Sequence, residues 1–221
     1  MSSRELVLER IRRTTVSADP SPIYAAVERN YVRSGRLDAE ERLALMVERL
    51  REYDAEVVET TSQELPHAIA GQLAASGRHT FVAPPGLAPE WLVSGFEWKI
   101  DHDLPIAEIE KADGVVTACF CGVADSGTIV LHHTTEEGRR VISLLPDWHL
   151  CVLRARDVVE TLPEYFARCG EAARCGGAAR STEPPRLATY ISGPSATADI
   201  EMTRIKGVHG PRFLHVVVVR D

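Results

Sequence analysis

Apolar residues recur every three or four positions in several parts of the chain, a pattern that predicts amphipathic helices. The clearest case is residues 38–53, where four large apolar residues are spaced among Glu and Arg, and Asp38 is a plausible N-terminal cap. Weaker patterns of the same kind predict helices over residues 5–11, 64–75, 106–112 and 157–175. Pro163 should lie in a first turn of the last helix or break it.

Short apolar runs between these helices predict strands over residues 57–58, 80–83, 114–118, 128–132, 187–191 and 213–219. Residues 141–145 and 150–153 are further apolar segments, and residues 171–185, rich in Ala, Gly and Pro, predict a flexible loop. The run 213–219 is almost continuously apolar, as expected of a strand buried on both faces. Strands that alternate with helices predict an α/β fold with a mostly parallel central sheet flanked by helices.

Composition narrows the class of protein. The 221 residues include 44% hydrophobic residues, enough for a substantial core. The formal net charge of −7 argues against nucleic-acid binding, which needs clustered basic residues. No apolar run approaches the length of a membrane span, and the first residues lack the apolar core of a signal peptide, so we expect no membrane insertion and a cytoplasmic location.

The cysteines predict thiols rather than disulfides or a metal site. Their number is odd in a chain without an export signal, which makes a disulfide framework improbable. Their spacing, with that of His132, His133 and His149, matches no structural zinc pattern and no iron–sulfur pattern. We therefore expect no metal and no cofactor. The five cysteines are Cys119, Cys121, Cys151, Cys169 and Cys175.

A loop rich in small and hydroxyl residues follows the predicted strand 187–191. A short helix is expected over residues 197–205, and the unpaired N–H groups at its start could bind an anion. An ordinary capped connection, with Ser195 or Thr197 as the N-cap, explains the same composition. The candidate ligand-binding residues here are Gly193, Pro194, Ser195, Thr197 and Asp199.

A second loop, residues 122–128, lies between two strand-like runs. A plain hairpin turn with Gly127 at positive φ accounts for its Asp-Ser-Gly sequence. Alternatively, Asp125 offers a carboxylate, Ser126 and Thr128 offer hydroxyls, and Gly127 lets a ligand approach the backbone.

A third loop, residues 207–211, precedes the last strand and contains His209 and Gly210. His209 could hydrogen-bond a turn or carry a proton. Among the other histidines, we expect His215 to be a cross-strand neighbour and His132 and His133 to be solvated. Several basic side chains near the loops could complement a ligand anion, although such residues usually face solvent. They are Arg139, Arg140, Arg204 and Lys206.

Taken in order, segments 124–128 (Ala-Asp-Ser-Gly-Thr), 145–149 (Leu-Pro-Asp-Trp-His), 193–201 and 207–211 resemble the lactate utilization protein C family, over roughly residues 54–219. The last two segments are the more specific. The resemblance implies a LUD domain, an α/β fold related to the ribose-5-phosphate isomerase, glucosamine-6-phosphate deaminase and CoA-transferase group. We therefore expect an N-terminal helical extension over residues 1–53 and a LUD-like domain over residues 54–221.

Members of this family are encoded beside iron–sulfur proteins that together oxidise L-lactate to pyruvate. This chain lacks the cysteine clusters of those partners, so the resemblance implies an accessory protein. It would work with the iron–sulfur proteins and bind a small anion at the 125–128 and 193–201 loops.

Two alternatives remain open. The first is an isomerase or CoA-transferase-like enzyme on a small phosphorylated or acyl substrate, with Asp125 or Glu201 as base or nucleophile and His209 as proton carrier. Related sequences often have Glu where Asp125 stands, and the shorter side chain would displace a carboxylate nucleophile, so that role is not carried over. The second alternative is a non-catalytic interaction module.

Overall fold

The computed structural model describes residues 2–14, 24–174, 187–192, 207 and 210–221. The chain divides into two compact units, Met1–Val32 and Arg33–Asp221. The first unit contains helix α1 (Ser3–Thr14), which confirms the helix predicted over residues 5–11. Its side chains Leu6, Val7 and Ile11 are exposed.

Ten strands and four α-helices occur in the described part of the second unit. The strands are β1 (Glu56–Thr60), β2 (Thr80–Ala83), β3 (Glu97–Ile100), β4 (Gly114–Ala118), β5 (Cys121–Val123), β6 (Thr128–Leu131), β7 (Trp148–Arg154), β8 (Val158–Val159), β9 (Thr189–Ile191) and β10 (Phe213–Val219). The helices are α2 (Ala39–Glu52), α3 (Leu65–Ala75), α4 (Ile106–Glu110) and α5 (Leu162–Arg174).

Six of the strands form a sheet in the order β1-β10-β7-β4-β2-β3, and all of its pairs are parallel. Strand β10 lies between β1 and β7, with Val217 paired to Val58 on one side and Val152 on the other. This inner position in a sheet with both faces covered explains why the run is almost continuously apolar. The predicted parallel α/β architecture is confirmed.

Helices cover both faces of this sheet. On one face, α3 packs Ile69 and Leu73 into a cluster with Trp148. On the other, α2 packs Met46 and Leu50 against alternate residues of β7 and β10. Helix α2 begins at the predicted cap, because Glu41 N donates to the Asp38 carboxylate (2.9 Å) and Asp38 N donates to the Glu41 carboxylate (3.1 Å).

A second, four-stranded sheet was not predicted. Its order is β8-β5-β6-β9, with β5–β6 and β6–β9 antiparallel and β5–β8 parallel. Strands β5 and β8 are three and two residues long, too short for a period-2 pattern to be distinguished. The chain enters this sheet after β4 and again after β7.

Two local predictions were wrong, and one apolar segment without a predicted element has a defined structure. The helix predicted to start at residue 157 starts at Leu162, because Ala155–Asp157 forms a 3₁₀ turn and β8 follows it; Pro163 then lies in the first helical turn. Residues 171–174, predicted as loop, belong to α5. The apolar segment 141–145 is largely a 3₁₀ helix, Arg140–Ser143.

The predicted domain boundary between residues 53 and 54 stays a prediction. Helix α2, on its N-terminal side, contributes four buried side chains to the core of the second unit, Leu43, Met46, Val47 and Leu50. None of the helices in the described part of the chain has the length and apolar character needed to cross a bilayer.

Candidate functional site

Residues 124–127 form the turn that joins β5 to β6. Gly127 closes it in the left-handed conformation, with φ 61°, and its N–H donates to the carbonyl oxygen of Ala124 at 3.2 Å. The predicted hairpin is confirmed. A Cβ at Gly127 would lie 2.6 Å from the Cβ of Arg49, so the turn rests directly on α2 and leaves no room for a side chain there.

Three hydroxyl groups line up beside this turn. Ser126 Oγ lies 2.8 Å from Thr128 Oγ1, which lies 2.7 Å from Ser192 Oγ. The antiparallel pairing of β6 with β9, with Ile129 opposite Ile191, brings Thr128 and Ser192 together. Ser192 immediately precedes Gly193. The structure therefore places the 125–128 loop beside the residue that leads into the predicted 193–201 loop.

Asp125 is exposed at the tip of the turn, and its backbone N–H donates to Glu160 O at 2.9 Å. Its carboxylate lies near the guanidinium of Arg49. The hydrogen bond and charge of Glu52 raise the pKa of Arg49, and Asp125 adds a smaller contribution in the same direction. Asp125 is thus a solvent-facing carboxylate with one cation nearby.

Most residues of the other two predicted loops lie outside the described residues. These are Gly193, Pro194, Ser195, Thr197, Asp199, Glu201 and His209, together with the helix predicted over residues 197–205. Gly210 is described, and a Cβ built on it would lie 4.0 Å from the carbonyl oxygen of Ser143.

Segments 145–149 and 207–211 are brought together at the amino ends of β7 and β10. Arg212, the residue after the second segment, donates to both carboxylate oxygens of Asp147, at 2.6 and 2.9 Å. This hydrogen bond and the charge of Asp147 raise the pKa of Arg212. Phe213 N also donates to Asp147 O at 3.1 Å. Asp147 thus holds the start of β10 beside β7.

His132 and His133 are not solvated, contrary to the prediction. The His132 ring stacks on Phe120, with centroids 3.8 Å apart, and its Nε2 lies 2.9 Å from the Tyr165 hydroxyl. His133 Nε2 lies 2.7 Å from Thr189 Oγ1, and burial lowers the pKa of His133. His133 thus joins the end of β6 to β9, and His132 joins it to α5.

His149 is more deeply buried than His132 and His133. Its ring is fully buried between the strands, and its Nε2 lies 2.8 Å from Thr117 Oγ1. Its Nδ1 has no hydrogen-bond partner among the described residues. Burial lowers the pKa of His149 to about 4, so the ring is neutral at pH 7. His215, by contrast, is the predicted cross-strand neighbour, 3.3 Å from the Glu56 carboxylate.

Arg139, considered from sequence as a partner for a ligand anion, binds a carboxylate of the chain itself. Its guanidinium donates to both oxygens of Asp101, at 2.8 and 2.6 Å. Asp101 immediately follows β3 and is only 4% exposed. The hydrogen bond from Arg139 holds the pKa of Asp101 below its usual range. This pair fastens the loop after β6 to the carboxyl end of the parallel sheet.

A cavity of about 400 Å³ opens beside the same end of the sheet; we call it the carboxyl-edge cavity. Residues at the ends of β4 and β7 line it, among them Ala118, Cys119 and Val152. Leu87 and Trp91, from the segment after β2, form another part of the lining. No sequence motif marked it; the only available signal was the general tendency of parallel α/β sheets to bind ligands outside the carboxyl ends of their strands.

The thiols give no sign of metal binding. Among the described residues, Cys119, Cys121, Cys151 and Cys169 form no disulfide. The Cys119 thiol donates to Val152 O at 3.3 Å, and its interaction with Cys151, together with burial, raises the pKa of Cys119. In the part of the chain that the structure describes, no three His, Cys, Asp or Glu side chains form a group that could hold a metal ion.

Comparison with known proteins places this architecture in a family. Residues 43–219 match the family model of the LUD domain. The chain is 39% identical over 173 residues to a Deinococcus radiodurans protein named lactate utilization protein C, covering 78% of this chain and 76% of that protein. A protein of the same name from Geobacillus thermodenitrificans is 30% identical over 195 residues, covering 81% and 78%.

A solved structure is also similar. The crystal structure of a DUF162 family protein from Deinococcus radiodurans superposes with a TM-score of 0.67 and 34% sequence identity, over 83% of this chain and 99% of that one. The predicted resemblance is confirmed, and the chain belongs to the LUD domain family.

Proposed function

We propose that this protein is a cytoplasmic accessory protein of L-lactate utilization that binds a small anionic ligand at the 125–128 and 193–201 loops. The role in lactate utilization is supported by the names of its relatives, which share 30–39% identity over most of both chains. In this role it acts with the iron–sulfur proteins that carry the electrons of lactate oxidation.

The observation that supports the ligand site is the row of hydrogen-bonded hydroxyl groups of Ser126, Thr128 and Ser192, which we call the hydroxyl line. Each hydroxyl has one proton to donate and can accept two hydrogen bonds. Three hydroxyls have three protons, and the two hydrogen bonds between them use two of these. One proton therefore remains for an acceptor outside the hydroxyl line. Such an acceptor is what a carboxylate or phosphate oxygen provides.

The charge of Asp125 decides the orientation of the ligand. An ionised carboxylate accepts hydrogen bonds only, so it repels the anionic end of a ligand and favours a hydroxyl group. An anion that carries a hydroxyl, with its charged end toward the hydroxyl line and the loop that follows Ser192, satisfies both groups. A 2-hydroxy acid has this arrangement.

Thermal unfolding in the presence of lactate, pyruvate and small phosphorylated sugars tests the site. A ligand at one hundred times its Kd stabilises by about 2.7 kcal/mol, which corresponds to a rise in Tm of roughly 5–10 °C. We expect this rise to be lost in Thr128→Val and Ser126→Ala. Ser94→Ala, which changes an exposed hydroxyl elsewhere, should keep it. An equal rise in all of these variants would rule out the hydroxyl line as the site.

The partnership is tested separately, by reconstituting lactate oxidation from the purified iron–sulfur proteins with and without this chain. The proposal predicts that adding the chain forms a complex and changes the rate of lactate oxidation. Neither complex nor rate change would overturn the accessory role. A turnover by the chain alone that is abolished by Asp125→Asn would favour the isomerase or acyl-transfer alternative instead.

A further inference from the structure

The carboxyl-edge cavity lies where the connections of the parallel sheet diverge. The chain leaves β2 for β3, within the same sheet, whereas it leaves both β4 and β7 for the second sheet. A crevice of this kind, outside the carboxyl ends of neighbouring parallel strands, is the usual ligand position in open α/β sheets. The cavity volume of about 400 Å³ is within the range of small-molecule sites.

Its walls are built from tight backbone contacts. Gly86 N donates to Thr135 O at 2.8 Å, and a Cβ at Gly86 would lie 2.8 Å from Thr135. Ala118 N donates to Glu136 O at 3.1 Å. The segment after β2 and the loop after β6 are therefore locked to each other and to β4, so the cavity is largely preformed.

Four charged residues line the cavity, and only one of the charges is balanced. Asp157 is buried and forms an ion pair with Arg168. The guanidinium groups of Arg154 and Arg156 form no hydrogen bond or ion pair with any residue that the structure describes. Glu136 is exposed at the lining. The uncompensated charge is thus two guanidinium groups against one solvent-facing carboxylate.

The remaining lining is apolar. Leu87, Trp91 and Val152 are at most 6% exposed, so they present a firm hydrophobic surface. Guanidinium groups bind carboxylate and phosphate oxygens through paired charge-assisted hydrogen bonds. An apolar wall beside them favours a ligand with a hydrophobic body. The cavity is too large for an anion of three carbons to fill.

We propose that the carboxyl-edge cavity is a second ligand site, which binds an organic anion with an apolar body through Arg154 and Arg156. The anionic group is a carboxylate or a phosphate monoester, and the apolar body packs on Trp91. None of the residues that line this cavity belongs to the hydroxyl line of the hairpin site. The proposal therefore does not depend on the proposed function.

Binding of three probes to the whole protein tests it. The probes are phenyl phosphate, phenylacetate and neutral benzyl alcohol, titrated by calorimetry and by the intrinsic fluorescence of the three tryptophans, of which Trp91 lines the cavity. We expect at least one of the two anions to bind below about 1 mM and benzyl alcohol to bind far more weakly. The tighter of the two anions identifies the class of charged group. If neither anion binds up to about 10 mM, the proposal is overturned.

Substitution of the arginines tests the assignment of residues. Arg154→Gln, at a half-buried position, should weaken the bound anion about tenfold, and the more exposed Arg156→Gln about threefold. Arg51→Gln, an exposed arginine outside the cavity, should leave the affinity unchanged. Equal affinity in the wild type and the Arg154→Gln/Arg156→Gln double variant would overturn the proposal.

Filling the cavity with a larger side chain tests whether the anion binds inside it or is only attracted by the charge of the arginines at the surface. Ala118→Phe should abolish binding although both arginines remain, and circular dichroism with thermal unfolding establishes that the variant is folded. If Ala118→Phe is unfolded, Val152→Phe replaces it in the same test. Thr128→Val, which removes one group of the hydroxyl line, should bind the probe as the wild type does. The test of the cavity therefore remains valid even if no ligand binds at the hydroxyl line. Full binding by a folded, filled variant would contradict the proposal.

Discussion

The two sheets of this protein differ in what holds them together. The six-stranded sheet is covered by helices on both faces, and its inner strands present fully buried aliphatic side chains such as Leu150, Val152 and Val217. The four-stranded sheet also buries its aliphatic side chains, and in addition it carries polar and aromatic contacts, including His132 to Tyr165 and His133 to Thr189. These contacts add hydrogen bonds between specific partners to the apolar burial that both sheets share.

The histidines show the same difference. His132 and His133 are half-buried at the end of β6, and each has named hydrogen-bond partners, Tyr165 on α5 for His132 and Gly138 and Thr189 for His133. His149 lies in the large sheet, fully buried with one ring nitrogen paired. The rings of His132 and His133 form hydrogen bonds that join neighbouring elements. The ring of His149 fills space inside the large sheet as a neutral group. Four substitutions test this contrast.

Leu150→Ala should have the largest effect. The side chain is fully buried in the six-stranded sheet, so its removal leaves a cavity and should lower the free energy of unfolding by about 2–5 kcal/mol. Chemical denaturation measures the loss. Leu145→Ala, at a position 40% exposed, should cost less than about 1 kcal/mol. Similar small losses in both variants would show that the large sheet is not held by aliphatic burial.

His149 should make the protein sensitive to acid. Its pKa is about 4 when folded and 6.5 when unfolded, so the unfolded state binds the proton first. Stability is therefore complete above pH 6.5 and falls as the pH decreases from 6.5 to 4, by up to about 3 kcal/mol. Unfolding measured across this range should be less pH-dependent in His149→Gln than in the wild type. Parallel curves for the two proteins would contradict this prediction.

Arg139→Gln should cost about 1–3 kcal/mol, because it leaves the buried Asp101 carboxylate without its main partner. Because Arg139 itself is 41% exposed, we expect a smaller loss of unfolding free energy than for a fully buried pair. Arg212→Gln breaks a more exposed pair and should cost less than about 1 kcal/mol.

The Asp101 pair also has a pH signature. Its folded pKa lies below its unfolded value, so the stabilisation is present above about pH 4 and is lost as the pH falls through the folded pKa. This acid dependence should weaken in Arg139→Gln. An unchanged acid limb in the denaturation profile would show that another cation holds the carboxylate.

Tyr165→Phe should have the smallest effect, a loss of about 1 kcal/mol from the removal of the hydroxyl between His132 and Tyr190. Tyr190→Phe, at a position 46% exposed, should lose less. If both losses are negligible, hydrogen bonding does not hold the second sheet and the contrast with the first sheet fails.

Local sequence signals were sufficient for the elements with strong patterns. The apolar run of β10, the Asp38 cap of α2 and the Asp-Ser-Gly turn each occur where the residues indicate. Strand β3 was missed because Glu97–Ile100 is short and mixed in polarity, and pairing with β2 at the sheet edge makes it a strand. Propensity is weak evidence at that length.

The candidate sites required the tertiary structure. The sequence analysis considered Arg139 as a partner for a ligand anion and did not single out Arg154, Arg156 or Arg212. The fold neutralises Arg139 with a carboxylate 38 residues away and Arg212 with one 65 residues away. It leaves Arg154 and Arg156 lining a cavity.

The sequence by itself determined the secondary-structure elements with strong patterns, the parallel α/β class and the family, since these depend on residue type and order along the chain. Only the tertiary structure decided which histidines are buried, which arginines remain uncompensated and where a ligand has room. Those properties depend on contacts between residues far apart in sequence, and no local pattern records them.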